Sequence, residues 1–185
     1  MGSLLTRDDL AAHQSNWVKP ISSAFAGHQI FEIPPSGQGL TALLALNILS
    51  HTGLRRFDPE SPERHHLEIE AMKLSWELRN RHIADPAFAE VPVDELLSPA
   101  LAAKLATLID MNKALDIATT MRRSDTIYLS VVDENRMAVS FINSIYHGFG
   151  SCIVTPKTAI ALQNRGACFV TDPAQRQSLL ETLDV

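Results

Sequence analysis

Along the first hundred residues the spacing of apolar positions changes several times, and each change marks an element. "TRDDLAAH" sets a threonine before acidic residues and predicts a short capped helix. "WVKPISSAFAGHQIFEIP" alternates as two strands hinged near Gly27, with Pro34-Pro35 closing the second. In "PPSGQGLTALLALNILSHTG", Ser36, Gly37 and Gly39 form a flexible lead into an apolar helix that Gly53 terminates. The glycine pair has two readings, a closely packed loop or a set of backbone donors facing an anion; packing is the preferred one. The longest helix starts at about Pro62 with Ser61 as its N-cap, and Leu67, Ala71, Leu74 and Leu78 recur on its buried face. "VDELLSPALAAKLATLI" predicts one broken helix or two short ones.

"DMNKALDIATTMRRSD" then loses the apolar period and gathers Asp, Asn, Thr, Arg and Ser, which predicts a mobile surface segment. Directly after it, "TIYLSVV" alternates: Thr126, Tyr128, Ser130 and Val132 share one face, while Ile127, Leu129 and Val131 share the other. A turn at "DENRM" follows, and "AVSFINSIY" alternates again. If Val132 pairs with Ala138, the register sets Thr126 opposite Ser144 with both hydroxyls on one face. The fold class is therefore α+β, with helices first and a β-hairpin at about 126–146.

Composition narrows the function classes. The 185 residues are 45% hydrophobic and 20% charged, enough for one sizeable core. A net charge of -5 leaves no basic surplus, and Arg122-Arg123 is too short a run to follow a phosphate backbone, so nucleic acid is not an expected partner. No window approaches the roughly 18 apolar residues of a membrane helix, and "MGSLLTRDDL" lacks the basic and apolar regions of a signal peptide. The compartment stays open, cytoplasmic if the parent protein also lacks a leader. Cys152 and Cys168 are too few for a disulfide framework or a zinc site and read as reduced, semi-buried thiols. His65 and His66, adjacent on a helix, point in different directions and read as solvated rather than as a metal pair. No metal or organic cofactor is implied.

Thr126 carries the chemical question. Its hydroxyl is a poor nucleophile unless a base takes the proton, and a free α-amino group on the same residue, with a reference pKa of about 8, is such a base. That amine exists only if the Asp125–Thr126 bond is cut. A segment without apolar period before a regular strand suits such a cut, and Ser144 is placed to hold the hydroxyl. On pattern alone both readings stand: a nucleophile, or an ordinary β-branched strand residue in an inert structural or interaction fragment.

Taken in order, the motifs resemble the γ-glutamyltranspeptidase family of N-terminal-nucleophile hydrolases. Thr126 to Asp133, "TIYLSVVD", is similar to the Thr-Thr-His-x-Ser-Val-Val-Asp motif that opens the family's small subunit. "AVSFINSIYHGFGS", "AIALQNRGACF", "DLAAHQSNWVKPI" and "PPSGQG" extend the resemblance over most of the chain. It implies an αββα sandwich, self-cleavage before Thr126, and a threonine-nucleophile amide hydrolase or γ-glutamyltransferase. Residues 1–125 would be the C-terminal part of a large-subunit-like region and 126–185 the N-terminal part of a small-subunit-like one. The partners implied are a small amide or γ-glutamyl substrate and the remaining parts of both subunits, with a homo-oligomer left open. The family's donor-carboxylate arginine and its Gly-Gly pair of oxyanion donors are then expected outside this chain.

The resemblance makes Thr126 the nucleophile and Ser144 the residue that orients it. The family asparagine that helps to bind the glutamyl group falls at Tyr146. The acceptors of the donor's ammonium fall at Arg165 and Cys168, and neither is anionic. "LQNRGACF" is closer to the transpeptidase-like amidohydrolases, and Arg165 is expected either to bind a substrate carboxylate or to anchor loop backbone.

Overall fold

The longest helix begins where the sequence places its cap. Ser61 Oγ accepts the Arg64 amide at 3.3 Å, and Pro62 occupies the first turn of a helix that runs Pro62–His82. The chain is represented by a computed structural model that describes residues 6–117 and 126–168, and these fall into two units divided after Ile117.

In the first unit α1 (Arg7–Ala11) carries a capping box with Thr6. Strands β1 (Ile21–Phe25) and β2 (His28–Glu32) pair antiparallel from Ile21↔Glu32 to Phe25↔His28. Their two-residue turn has positive φ at both Ala26 (52°) and Gly27 (85°), the mirror-image turn that suits strand twist. Helix α2 (Gly39–Ser50) is apolar almost all round because it packs against α3 (Pro62–His82), the β1–β2 hairpin and α5 (Pro99–Ala106). The broken helix is observed as two pieces, α4 (Val93–Leu96) and α5, the second capped by Ser98.

Leu40, Leu44 and Ile48 of α2 form the core with Leu67, Ala71, Leu74 and Leu78 of α3, closed by Leu96, Leu105 and Ile117. The glycines before α2 serve packing. A Cβ on Gly39 would lie 2.6 Å from Glu32 Cβ, so the strand end and helix start meet there only without a side chain, whereas one on Gly37 would lie 3.3 Å from Ile33 Cδ1, a tight contact that asks a small shift of that side chain.

Residues 110–114 lie on the surface as expected, whereas Leu115 and Ile117 tie the end of this stretch to the first unit. Glu70 is 1% exposed, and its Oε1 takes Lys73 Nζ at 2.7 Å while its Oε2 accepts the Leu115 amide at 2.7 Å. Lys73 Nζ also donates to the Leu115 carbonyl at 3.2 Å, so one ion pair holds both sides of that residue's backbone. His66 Nε2 lies 2.9 Å from the Asp110 carbonyl, so this histidine is a partly buried tie between α3 and the segment rather than a solvated side chain. Ile117 enters the core. The remainder of the segment, 118–125, lies outside the described residues.

The second unit contains β3 (Ile127–Val132) and β4 (Ala138–Asn143), antiparallel with Val132 against Ala138 and Ile127 against Asn143. The chain is thus α+β, and among the described residues each unit has one two-stranded sheet. No helix among the described residues is long and apolar enough to cross a membrane.

Replacing Glu70 by Ala removes a buried acceptor and leaves the Lys73 ammonium and the Leu115 amide without it. The expected loss is roughly 2–3 kcal/mol, tempered by the partial exposure of Lys73. Urea unfolding should show a lower midpoint with an unchanged slope, and a midpoint equal to that of the unmodified chain would refute the clamp.

Candidate active site

Thr126 stands one residue before β3 and Ser144 one residue after β4, so the hairpin register alone brings them face to face. Their hydroxyl oxygens are 3.1 Å apart and hydrogen bonded. A loop running from 145 to 164 then doubles back to the same point. Ser151 donates its amide (2.9 Å) and its hydroxyl (2.8 Å) to the Leu162 carbonyl, Leu162 N–H reaches the Ile153 carbonyl at 2.9 Å, and Asn164 N–H reaches the Ile145 carbonyl at 3.2 Å. Val154 and Ala161 form an antiparallel bridge. The loop ends in the 3-10 turn Arg165–Cys168, which delivers Arg165 to the hairpin mouth.

There Arg165 Nη2 donates to Ser144 Oγ at 3.2 Å, and its guanidinium carbon lies 5.4 Å from the centroid of the Tyr146 ring. Tyr146 N–H donates to the same Ser144 oxygen at 3.1 Å. Thr126, Arg165 and the Tyr146 backbone amide therefore meet at the Ser144 hydroxyl. Tyr146 adopts φ 78°, a left-handed backbone in which asparagine is at ease and a bulky residue is strained. The Cys168 side chain and Asp125 lie outside the described residues. Cys152 is a free, exposed thiol rather than a semi-buried one, because it sits in a turn with φ 60°.

Two residues absent from the sequence reading support this arrangement. Asn164 Oδ1 accepts the His147 amide at 3.1 Å, and its Nδ2 contacts His147 Nδ1 at 2.8 Å. The tilted His147 ring stands 4.5 Å from that of Tyr146, so Asn164 braces the aromatic pair beneath Arg165. Asn164 lies inside the "LQNRGACF" stretch, and its position immediately before Arg165 was the only available signal. Among the described residues no three His, Cys, Asp or Glu side chains gather closely enough to hold a metal ion.

Chemically the arrangement offers two hydroxyls in contact, a cation against one of them, and one face open to solvent. A threonine so placed is accessible and held by a neighbour, the two conditions for use as a nucleophile once a base is present.

A family model described as γ-glutamyltranspeptidase matches residues 1–181, and the chain belongs to that family. It is 40% identical over 171 residues to the glutathione hydrolase-like YwrD proenzyme of Bacillus subtilis, covering 92% of this chain and 32% of that protein. Against the oxamate amidohydrolase proenzyme of Klebsiella pneumoniae the identity is 38% over 173 residues, covering 94% and 32%. The crystal structure of cephalosporin acylase from Bacillus halodurans superposes with a TM-score of 0.73 at 41% identity, over 91% of this chain and 30% of that one. The chain spans about a third of the length of these relatives.

The loop that returns Arg165 depends on Gly150. Its φ is 54°, and a Cβ there would stand 2.5 Å from the Leu162 carbonyl oxygen, which is backbone and cannot swing aside. Gly150→Ala should weaken the second unit by roughly 1–3 kcal/mol. Faster hydrogen exchange at the Ser151 and Asn164 amides is the expected sign, and unchanged exchange at both would refute it.

Proposed function

We propose that this chain spans the processing junction of an N-terminal-nucleophile amide hydrolase and that Thr126 is its nucleophile. The observation that carries the reading is the Thr126–Ser144 hydroxyl pair at the mouth of the hairpin, with Arg165 on the same oxygen. Relatives named as proenzymes add support, since such a name implies maturation of a longer chain.

In maturation Thr126 Oγ1 attacks the Asp125 carbonyl, the Asp125–Thr126 C–N bond breaks, and an ester forms while the nitrogen takes up a proton. Water then hydrolyses the ester, leaving an Asp125 carboxylate and a Thr126 with free hydroxyl and free amine. In turnover that amine accepts the hydroxyl proton as Oγ1 attacks a substrate amide, and returns it to the leaving amine. The acyl ester is released by water with the same base. Donors for the tetrahedral oxyanion would come from the parent protein beyond this chain, and loss of one such donor typically costs about a hundredfold or more.

The hairpin itself favours a larger sheet around it. Ile127, Leu129, Val131 and Phe141 on one face are 70%, 43%, 56% and 51% exposed, and a two-stranded sheet with such faces is marginal by itself. Flanking strands of an αββα sandwich would cover them.

For substrate, the proposal is a small amide bearing a carboxylate and no ammonium. Arg165 spends one N–H on Ser144 and retains others for a carboxylate fork. At Tyr146 and Arg165 there is no anionic acceptor, and a buried unpaired ammonium would cost several kcal/mol.

Two outcomes test the proposal. The full-length proenzyme with Thr126→Ala should remain one uncut chain by intact mass, whereas Thr126→Ser should still cut; protease-free cleavage of the Ala variant at the same bond would overturn the mechanism and return Thr126 to an ordinary strand residue. The matured enzyme should hydrolyse oxamate with higher kcat/KM than γ-glutamyl-p-nitroanilide. Efficient γ-glutamyl transfer to a dipeptide would contradict that preference.

A further inference from the structure

Tyr146 keeps a left-handed backbone, φ 78°, that a bulky residue does not hold without outside support. That support comes from Asn164. Its N–H donates to the Ile145 carbonyl at 3.2 Å, and its Oδ1 accepts the His147 N–H at 3.1 Å. These two groups belong to the peptide planes before and after Tyr146, and the orientation of those planes sets its φ and ψ. One residue thus pins both. A third tie, from Asn164 Nδ2 to His147 Nδ1 at 2.8 Å, adds the imidazole that stands 4.5 Å from the Tyr146 ring.

These ties reach Ser144 by two routes. In a trans peptide the carbonyl and the N–H point opposite ways, so the plane held at the Ile145 carbonyl turns the Tyr146 N–H away from Asn164 and onto Ser144 Oγ at 3.1 Å. Along the chain, Asn164 immediately precedes Arg165, and its carbonyl accepts the Ala167 N–H at 3.0 Å within the turn Arg165–Cys168. From there the guanidinium crosses the Tyr146 ring and donates to Ser144 at 3.2 Å. The N–H, carbonyl, Oδ1 and Nδ2 of Asn164 are all engaged, and the residue is half-buried while Arg165 beside it is exposed.

We propose that Asn164 is a positioning residue for charge selectivity: by fixing both peptide planes of Tyr146 and the start of the Arg165 turn, it holds ring and guanidinium in the one arrangement that offers Arg165 to a substrate carboxylate. This rests on the reading of Arg165 as the carboxylate-binding group. Alanine at 164 keeps the backbone tie to Ile145 and loses both side-chain ties, which frees the plane after Tyr146. A guanidinium on a loosened support must be ordered again each time it binds, and that entropy is subtracted from affinity for the carboxylate.

The readout is selectivity rather than rate: kcat/KM for oxamate divided by kcat/KM for oxamide, its neutral counterpart, in the matured full-length enzyme. General loss of structure or of nucleophile alignment lowers both values together and leaves the ratio alone, whereas a displaced Arg165 lowers only the first. Arg165→Leu should reduce the ratio about tenfold or more, the weight of a charge-assisted hydrogen bond. Asn164→Ala should reduce it roughly fivefold with Arg165 still present, mostly through KM. In the double variant the ratio should equal that of Arg165→Leu, because Asn164 acts through Arg165. If Asn164→Ala does not yield folded enzyme, His147→Ala, which removes the ring nitrogen and keeps the amide on Oδ1, should lower the same ratio about twofold. An unchanged ratio in the folded variant, or a double-variant ratio well below that of Arg165→Leu, would overturn the inference and leave Asn164 a structural tie. An unmodified enzyme with no preference for oxamate over oxamide would instead remove the reading of Arg165 on which it rests.

Discussion

The register that sets Val132 against Ala138 governs everything at the other end of the hairpin. Side chains alternate with a period of two, so a slip of one residue would send Thr126 and Ser144 to opposite faces and dissolve their contact. Register is normally pinned by burial of one face, and here both faces of β3–β4 are exposed. It is held instead at the two ends. At the turn, Asp133 accepts the Asn135 and Met137 amides at 2.9 and 2.8 Å and donates its own amide to the Met137 carbonyl at 3.1 Å. At the mouth, Ser144 collects its three partners. A small structure with little buried surface thus keeps its alignment through polar contacts at both termini of the ladder.

Local pattern was enough wherever a local rule decides the outcome. Ser61 caps α3, the four apolar positions of α3 are buried, and the hairpin pairs as alternation requires, because each depends on residues a few positions apart. The failures share a different cause. Residues 115–117 read as loose because they lack period, yet Glu70 binds the Leu115 amide across 45 positions. A buried carboxylate paired with Lys73 looks, in sequence, like a solvated i, i+3 pair on a helix surface. His66 was misjudged for the same reason, its partner being a carbonyl 44 residues away. Within the candidate site, motif order drew attention to Thr126, Ser144, Tyr146 and Arg165, which the structure sets close together, whereas Asn164 went unnoticed because its partner is reached only after the loop turns back.

Membership of the γ-glutamyltranspeptidase family and a span of about a third of its relatives' length give the exposed hairpin a physical meaning. Exposed strand edges and apolar faces attract further strands, and proteins manage such edges by pairing or covering them. The first unit, by contrast, has a closed core of leucines from α2 and α3. The energetic asymmetry follows from topology: helical contacts are satisfied within short stretches of chain, whereas a sheet of more than two strands has to recruit them from elsewhere.

The departures from the family pattern are mutually consistent. Tyr146 occupies a left-handed backbone position where the family resemblance expects asparagine, a residue that tolerates such a backbone better than a bulky one. What the ring gives in exchange is a platform under the Arg165 guanidinium. Arg165 in turn stands where acceptors are expected, and a cation there repels an ammonium as strongly as it attracts a carboxylate. Replacing Arg165 alone would remove the cation from the Tyr146 ring, and replacing Tyr146 alone would remove the ring from beneath the guanidinium. The two positions are coupled through contact, so a substitution at either one is felt at the other.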